Sequence, residues 1–248
     1  MSQAIIGTSG WAYPTWKPSF YPEKLASKKF LSHYAGVLSG VEVNYTFRRF
    51  LPEKTQLGWI ESTPAGFRFA IKAHQAITHF KRLRGAEGLA GDFARSLGPL
   101  ASAGRLGPIL FQLPPQMKAD AALLAAFANS LPKARELRYT FEFRDASWFA
   151  EPTYEALRAA NAALCWAESE ERDTPHHIIE TADFCYYRLR KPEYSKSELA
   201  ALEKELSAHV AAGRDVFVFF KHEETPAGAL MAREVLEQLQ AKSAAGKS

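Results

Sequence analysis

Eight short apolar runs recur along the chain, and helix-like stretches separate them. The runs are AIIGTS (4–9), VEVN (41–44), FRFAIKA (67–73), GPILFQL (107–113), RYTFEFR (138–144), ALCWAE (163–168), FCYYRLR (184–190) and DVFVFFK (215–221). They are rich in β-branched and aromatic residues, and several alternate with a period of two, which is the pattern of strands. Helix-like stretches lie near 24–38, 53–63, 87–103, 120–131, 152–161, 196–212 and 226–242, while charges and Pro175 leave little room for a helix in 169–182. Strand–helix alternation implies right-handed crossovers and a parallel sheet. The same elements can build an open doubly wound sheet. Eight strands in 248 residues favour closure instead, because one (βα)8 barrel takes roughly 250 residues. The expected fold is therefore α/β, a single closed (βα)8 TIM-type barrel spanning 1–248. No linker or internal repeat divides it, and the small polar tail from about residue 240 reads as a frayed end.

Side chains of a strand alternate between its two faces, so the polar residues of these runs can be assigned a side. Phe141 and Phe143 suit the helix-facing side, which turns Thr140, Glu142 and Arg144 toward the barrel axis. Phe67, Phe69 and Ile71 face outward and place Ala70, Lys72 and His74 inside; Val41 and Val43 do the same for Glu42 and Asn44. Gln112 points inward between Phe111 and Leu113, Tyr186 and Arg188 can point inward from the seventh strand, and the eighth ends at Lys221. The first, sixth and eighth strands are apolar or small on both faces and give no clear side. The inward polar residues gather toward the C-terminal strand ends, where barrel enzymes carry their active sites. Glu42 and Glu142 would there meet Lys72, Arg144, Arg188 and Lys221. Such charges are costly to bury unless they pair or meet a ligand. An interior ion-pair network that plugs the barrel is one reading; the surplus of cations favours an anionic ligand.

Two further stretches carry chemistry. Residues 62–86 contain no Asp or Glu but hold Arg68, Lys72, His74, His79, Lys81, Arg82 and Arg84, which reads as a phosphate or nucleic-acid contact surface or as a solvated basic loop. The loop GWAYPTWKPSFYP (10–22) offers Trp11, Tyr13, Trp16, Phe20 and Tyr21. Aromatics there can stack on a base or sugar, or form a satellite core; Trp11, nearest the strand, is the ligand candidate.

Several classes drop out. The chain has no HExxH, CxxC, GxSxG or Gly-rich phosphate loop, so zincin, redox, acyl-transfer and nucleotide-cofactor chemistries lack their motifs. His74, His79, His222, Glu42 and Glu142 could supply some metal ligands, but no spacing demands a metal, and no cofactor is implied. Cys165 and Cys185 are too few for a disulfide framework and read as buried thiols. The start lacks a signal-peptide pattern and no apolar run could span a bilayer, so a cytoplasmic chain without membrane contact is expected. A net charge of +4 permits an anionic partner without demanding one.

GTSGWAYPTW, VEVNYTF, FRFAIKAHQAITH, LGPILFQLPP and FEFRDASW, in that order across nearly the whole chain, resemble the YecE-like family, a domain of unknown function. The resemblance implies a closed TIM-type barrel with no established reaction. It also implies nucleic-acid binding by analogy with the endonuclease IV class of barrels. Trp11, Glu42, Asn44, Thr46, Lys72, His79, Gln112, Glu142 and Arg144 fall inside the matching motifs. The chain departs from the family pattern at RLRKPEY, where relatives have a His-Gly pair, at FFKHEE, where they have an Asn-rich turn, and at TFRRF, where Arg48 replaces an aromatic. The last quarter of the site is therefore expected to be altered.

Three functions stay open. The first is a barrel whose C-terminal face binds a phosphate-bearing small molecule or nucleic acid, with or without hydrolysing it, with Trp11, Asn44, Lys72, His74, His79, Gln112, Arg144 and Arg188 as ligand contacts. The second is a glycosidase using Glu42 and Glu142 as its catalytic pair. Carboxylate pairs of that kind sit roughly 5–9.5 Å apart, and strands two and five suit only the longer spacing. The third is a non-catalytic binding module.

Overall fold

The computed structural model describes residues 2–168, 178–221 and 225–245. Eight parallel strands, β1 (Ala4–Thr8), β2 (Gly40–Val43), β3 (Arg68–Lys72), β4 (Leu106–Gln112), β5 (Tyr139–Glu142), β6 (Ala163–Ala167), β7 (Phe184–Leu189) and β8 (Asp215–Phe220), follow one another in sequence order. The sheet closes where β8 pairs with β1, from Ala4 opposite Val216 to Thr8 opposite Phe220. The barrel expected from the alternation is therefore present, and the open sheet is not.

Every strand ends one or two residues before its apolar run does. Asn44, Arg144, Glu168, Arg190 and Lys221 thus stand just past the ladder, on the loops that leave its C-terminal end. Their positions remain fixed where the backbone keeps a bond to the next strand, as in Glu168 N to Arg188 O at 3.1 Å and Lys221 N to Leu189 O at 2.7 Å.

Among the described residues eight α-helices wrap the sheet: α1 (Phe30–Val37), α2 (Glu53–Glu61), α3 (Glu87–Ser96), α4 (Gly98–Ser102), α5 (Ala121–Ser130), α6 (Glu151–Ala159), α7 (Lys196–Ala211) and α8 (Ala227–Ala245). The stretch read as one helix over 87–103 is two, broken at Leu97 beside Pro99, whose ring nitrogen has no N–H to donate. The helix expected from residue 24 begins only at Phe30, because Ala26 is extended and a 3-10 turn, Ser27–Lys29, precedes it. At the other end α8 runs to Ala245, into the segment read as frayed. The doubtful stretch 169–182 lies outside the described residues as far as 177. Among those residues no helix is long and apolar enough to cross a membrane.

Two apolar shells result. The outer one joins the helices to Val41, Val43, Phe67, Phe69, Ile71, Phe111, Phe141 and Phe143, the residues assigned outward by alternation. The inner one fills the barrel with Ile5, Ala70, Leu110, Ala163, Cys165, Phe184, Tyr186, Phe217 and Phe219, which settles the faces of β1, β6 and β8. Both cysteines are free and buried, and burial pushes the Cys185 thiol up to about 12. The β1–β2 seam depends on two glycines. A Cβ on Gly7 would lie 1.8 Å from the Gly40 carbonyl oxygen, and the Tyr34 hydroxyl bridges the seam, donating to that oxygen at 3.0 Å and accepting from Thr8 N at 2.8 Å. The inner shell plugs the lower barrel, so the polar inward residues are left at its C-terminal mouth.

Candidate functional site

Arg188, near the end of β7 and only 4% exposed, sits between two carboxylates. Its Nη2 donates to Glu42 Oε1 at 2.7 Å, and its Nη1 makes a short bond to Glu142 Oε2. Glu42, from β2, is fully buried and also accepts from Tyr186 Oη (2.8 Å), Asn44 Nδ2 (3.1 Å) and Ser9 Oγ (3.2 Å). Glu142, ending β5, accepts from Gln112 Nε2 at 2.8 Å and from Arg144 Nε at 3.2 Å. Burial is the largest influence on both carboxyls and opposes their ionisation, but the Arg188 charge and the surrounding cations and donors together outweigh it. Tyr186 and Arg190 add to the effect at Glu42, Arg190 and Arg144 at Glu142, and both are held below the usual carboxylate range.

A second layer of cations surrounds this trio. Lys72, the last residue of β3, donates from Nζ to Gln112 Oε1 at 2.6 Å and lies 4.4 Å from the centre of the Phe47 ring. Burial, with the Arg188 charge nearby, lowers its ammonium from the ordinary 10.5 to about 8. The end of β3 is pinned by Thr46, whose hydroxyl donates to the Lys72 carbonyl at 2.7 Å. Lys81 N bonds back to Ala76 O, closing a π-helical turn, Ala76–Phe80, that carries His79. Such turns recur at functional sites. His79 packs edge-on against Phe47 at 4.8 Å, and burial together with Lys72 and Arg144 lowers its pKa. Arg190 anchors through its backbone, donating to Glu168 Oε2 at 2.8 Å, while Glu168 also receives the Tyr194 hydroxyl. Burial and the charge of Arg188 lower the Arg190 pKa. Among the described residues, neither Lys72 nor the Arg190 guanidinium has a carboxylate within ion-pair distance. The Phe47 ring, over which Lys72 lies, also lines a cavity of about 550 Å³ with Asn44, Tyr45, Arg48 and Arg49. Asn44 Oδ1 is buried without a hydrogen-bond donor, an acceptor left over in a site otherwise rich in donors.

Glu42, Asn44, Lys72, Gln112, Glu142, Arg144 and Arg188 are thus gathered as the strand alternation predicts, with His79 at the edge. Trp11 and His74 are not part of the cluster. The Trp11 ring packs edge-on against Trp59 at 5.1 Å, and Trp59 stacks on Phe69 of the outer shell, so it serves the helix layer. His74 packs against Phe50 at 5.6 Å and accepts from Ala76 N at 3.2 Å, because the chain has already turned out of β3. Trp16, Phe20 and Tyr21 are buried in the outer apolar shell itself and not in a separate satellite core, with Tyr21 stacked on Phe30 at 4.2 Å. Lys221 is exposed, and His222 lies outside the described residues. The basic stretch 62–86 is not one surface: Arg68 opens β3 at the opposite end of the barrel, and Arg84 pairs with Asp120 at 2.9 Å. Ser9 and Arg190 escaped the sequence reading, although each continues the period of two past its strand end, from Gly7 and from Arg188. Among the described residues no group of three or more His, Cys, Asp or Glu side chains could hold a metal ion.

A profile of the family described as protein of unknown function DUF72 matches residues 5–248. The chain belongs to that family. It is 30% identical over 168 residues to YunF of Bacillus subtilis, covering 66% of this chain and 58% of that protein. It is 31% identical over 147 residues to YecE of Escherichia coli, covering 59% and 50%. The matches thus span little more than half the length of these relatives. A DUF72 family protein of Thermotoga maritima superposes with a TM-score of 0.82 at 27% identity, covering 96% of this chain and 99% of that one. D-psicose 3-epimerase from Clostridium cellulolyticum, at 11% identity and a TM-score of 0.55, shares the fold alone. In this chain RLRKPEY supplies Arg188 to the centre of the network and Arg190 to its rim, and TFRRF supplies Arg48 to the cavity wall.

Proposed function

We propose that the C-terminal mouth of this DUF72 barrel binds a phosphate-bearing ligand. One observation carries the reading: Arg188 already bridges the two carboxylates, yet Lys72, Arg144 and Arg190 crowd the same mouth. Four cations face two central carboxylates there, and counting Glu168 still leaves a positive excess. Partly buried cations without partners are costly, and an anion seated among them removes that cost. The Asn44 acceptor suits a hydroxyl of the same ligand. A small phosphate ester fits better than a long polynucleotide, because the basic stretch 62–86 divides between the two ends of the barrel. Lys81 and Arg82 are nevertheless exposed just beyond His79, so an oligonucleotide could engage them as well.

The carboxylate pair does not favour the glycosidase reading. Such an enzyme needs one carboxyl kept protonated as its general acid, whereas Arg188 holds both in the ionised form. Glu142 is also a poor base while it accepts from Arg188, Gln112 and Arg144. Binding is the chemistry these contacts support.

Calorimetric titration with inorganic phosphate and a short oligonucleotide near pH 8, in buffers of different ionisation enthalpy, tests the proposal. Phosphate should bind with an affinity that falls as salt is added, taking up protons as Lys72 recharges. Arg190→Gln and Arg144→Gln should each weaken binding. Unchanged affinity in both variants would return these cations to a structural network. Tighter oligonucleotide binding that is lost in a Lys81→Ala, Arg82→Ala variant would make nucleic acid the ligand.

A further inference from the structure

Lys72 is an odd choice for a purely structural cation. Its Nζ bonds to an amide oxygen, Gln112 Oε1, rather than to a carboxylate, and it lies over the Phe47 face. Arg144, Arg188 and Arg190 supply positive charge around it, so the site does not lack a cation that Lys72 must provide. What Lys72 adds to these three guanidinium groups is a primary amine, half-buried within the cluster. We infer that Lys72 is a nucleophile that forms a Schiff base with the carbonyl carbon of an anionic aldehyde or ketone held in this mouth. This inference deepens the proposed function and takes its anion-binding residues from that reading.

The chemistry closes without an outside reagent. The neutral Nζ lone pair bonds to the carbonyl carbon, and the C=O π pair moves to oxygen, which takes a proton to give a carbinolamine. The nitrogen lone pair then expels that hydroxyl as water with a second proton, one of the two having come from the amine itself. Overall, amine, carbonyl and one proton give an iminium and one water. The iminium keeps the positive charge over Phe47 and retains an N–H for Gln112 Oε1, so the contacts that hold the ammonium also suit the product. Arg144 and Arg190 are placed for the anionic group of the ligand and Asn44 Oδ1 for a hydroxyl. A lysine crowded by cations and partly desolvated is an established route to an amine reactive near neutral pH. At pH 7.5 an amine titrating at about 8 is roughly one-quarter neutral, against about 0.1% for an ordinary lysine.

The test uses the intact chain with pyridoxal 5′-phosphate as the probe aldehyde at pH 7.5, borohydride reduction and peptide mapping by mass spectrometry. Lys72 should be labelled at least about tenfold faster than exposed lysines such as Lys28 and Lys54, and inorganic phosphate should suppress that label. Lys72→Arg keeps the charge and should lose the label; if that variant fails to fold, mapping of the unaltered chain still decides. Labelling of Lys72 no faster than that of the exposed lysines overturns the inference. Pyridoxal, which lacks the phosphate, separates the two proposals. Equal selective labelling of Lys72 by both aldehydes, without phosphate protection, would uphold the amine and sink the anion site. Phosphate binding without selective labelling would uphold the anion site and sink the Schiff base.

Discussion

Replacing Arg188 by Met removes the charge at the centre of the site while keeping much of its volume. Glu42 and Glu142 are 0% and 2% exposed, and each takes one bond from that guanidinium. Breaking a buried ion pair from one side costs about 3–5 kcal/mol, because the partner charge is left without compensation. Two carboxylates are stranded here, which points to the upper part of that range. Tyr186, Ser9 and Asn44 at Glu42, and Gln112 and Arg144 at Glu142, keep the cost from doubling. The pH dependence is the sharper signature. In the unaltered chain both carboxyls lie below their ordinary 4.5, so their stabilisation is present above that pH and is lost as pH falls through it and beyond. Without Arg188, burial and mutual repulsion raise at least one of them above 4.5, so the folded state binds the extra proton. Stability should then increase on acidification from pH 7 toward 5, by up to about 1.4 kcal/mol per pH unit. Urea denaturation at several pH values between 4 and 8 measures both effects. A variant that loses less than about 1 kcal/mol at pH 7, or whose stability falls on acidification as the parent's does, refutes the claim that Arg188 neutralises this pair.

Lys72→Met tests the crowding of cations. An ammonium titrating at about 8 when folded and 10.5 when unfolded costs up to about 3 kcal/mol below pH 8, and that cost is relieved as pH rises to 10.5. The variant should therefore be the more stable chain at pH 7, less what the Gln112 bond and Phe47 contact contribute, and its advantage should shrink by pH 10; a constant difference contradicts the lowered pKa. Gly7→Ala puts a Cβ 1.8 Å from the Gly40 carbonyl oxygen and should cost about 3 kcal/mol or more, read from the urea midpoint. A near-neutral effect would mean that the β1–β2 seam is looser than described.

The barrel was legible because eight short apolar runs alternate with helical stretches, and several of the runs repeat their apolar residues with a period of two. Where one face is polar, as at Glu42, Lys72 and Glu142, that interval also fixes which side chains meet. It fails for β1, β6 and β8, because the lower barrel is filled with Ile5, Phe217 and Phe219 and both faces are therefore apolar. It also fails beyond strand ends. Trp11 and His74 sit where the chain turns away, so their direction follows Trp59 and Phe50 rather than strand alternation. Arg190 shows the opposite case: a residue one place past β7 that still follows the strand's face into the mouth. The break between α3 and α4 was readable in Pro99, whereas the late start of α1 follows from the extended Ala26 and the 3-10 turn Ser27–Lys29, which the helical pattern did not announce.

The central claim is that the cations at the barrel's C-terminal mouth form an anion site. Crystals soaked in tungstate, a tetrahedral dianion with strong anomalous scattering, test it most directly. The account predicts an anomalous peak within hydrogen-bond reach of Lys72, Arg144 and Arg190, reduced in Arg190→Gln crystals. A second cationic cluster, Arg68, Arg135 and Arg138, lines a cavity of about 160 Å³ at the other end of the barrel and serves as the internal comparison. Tungstate found only at that end, or nowhere on the chain, would contradict the account.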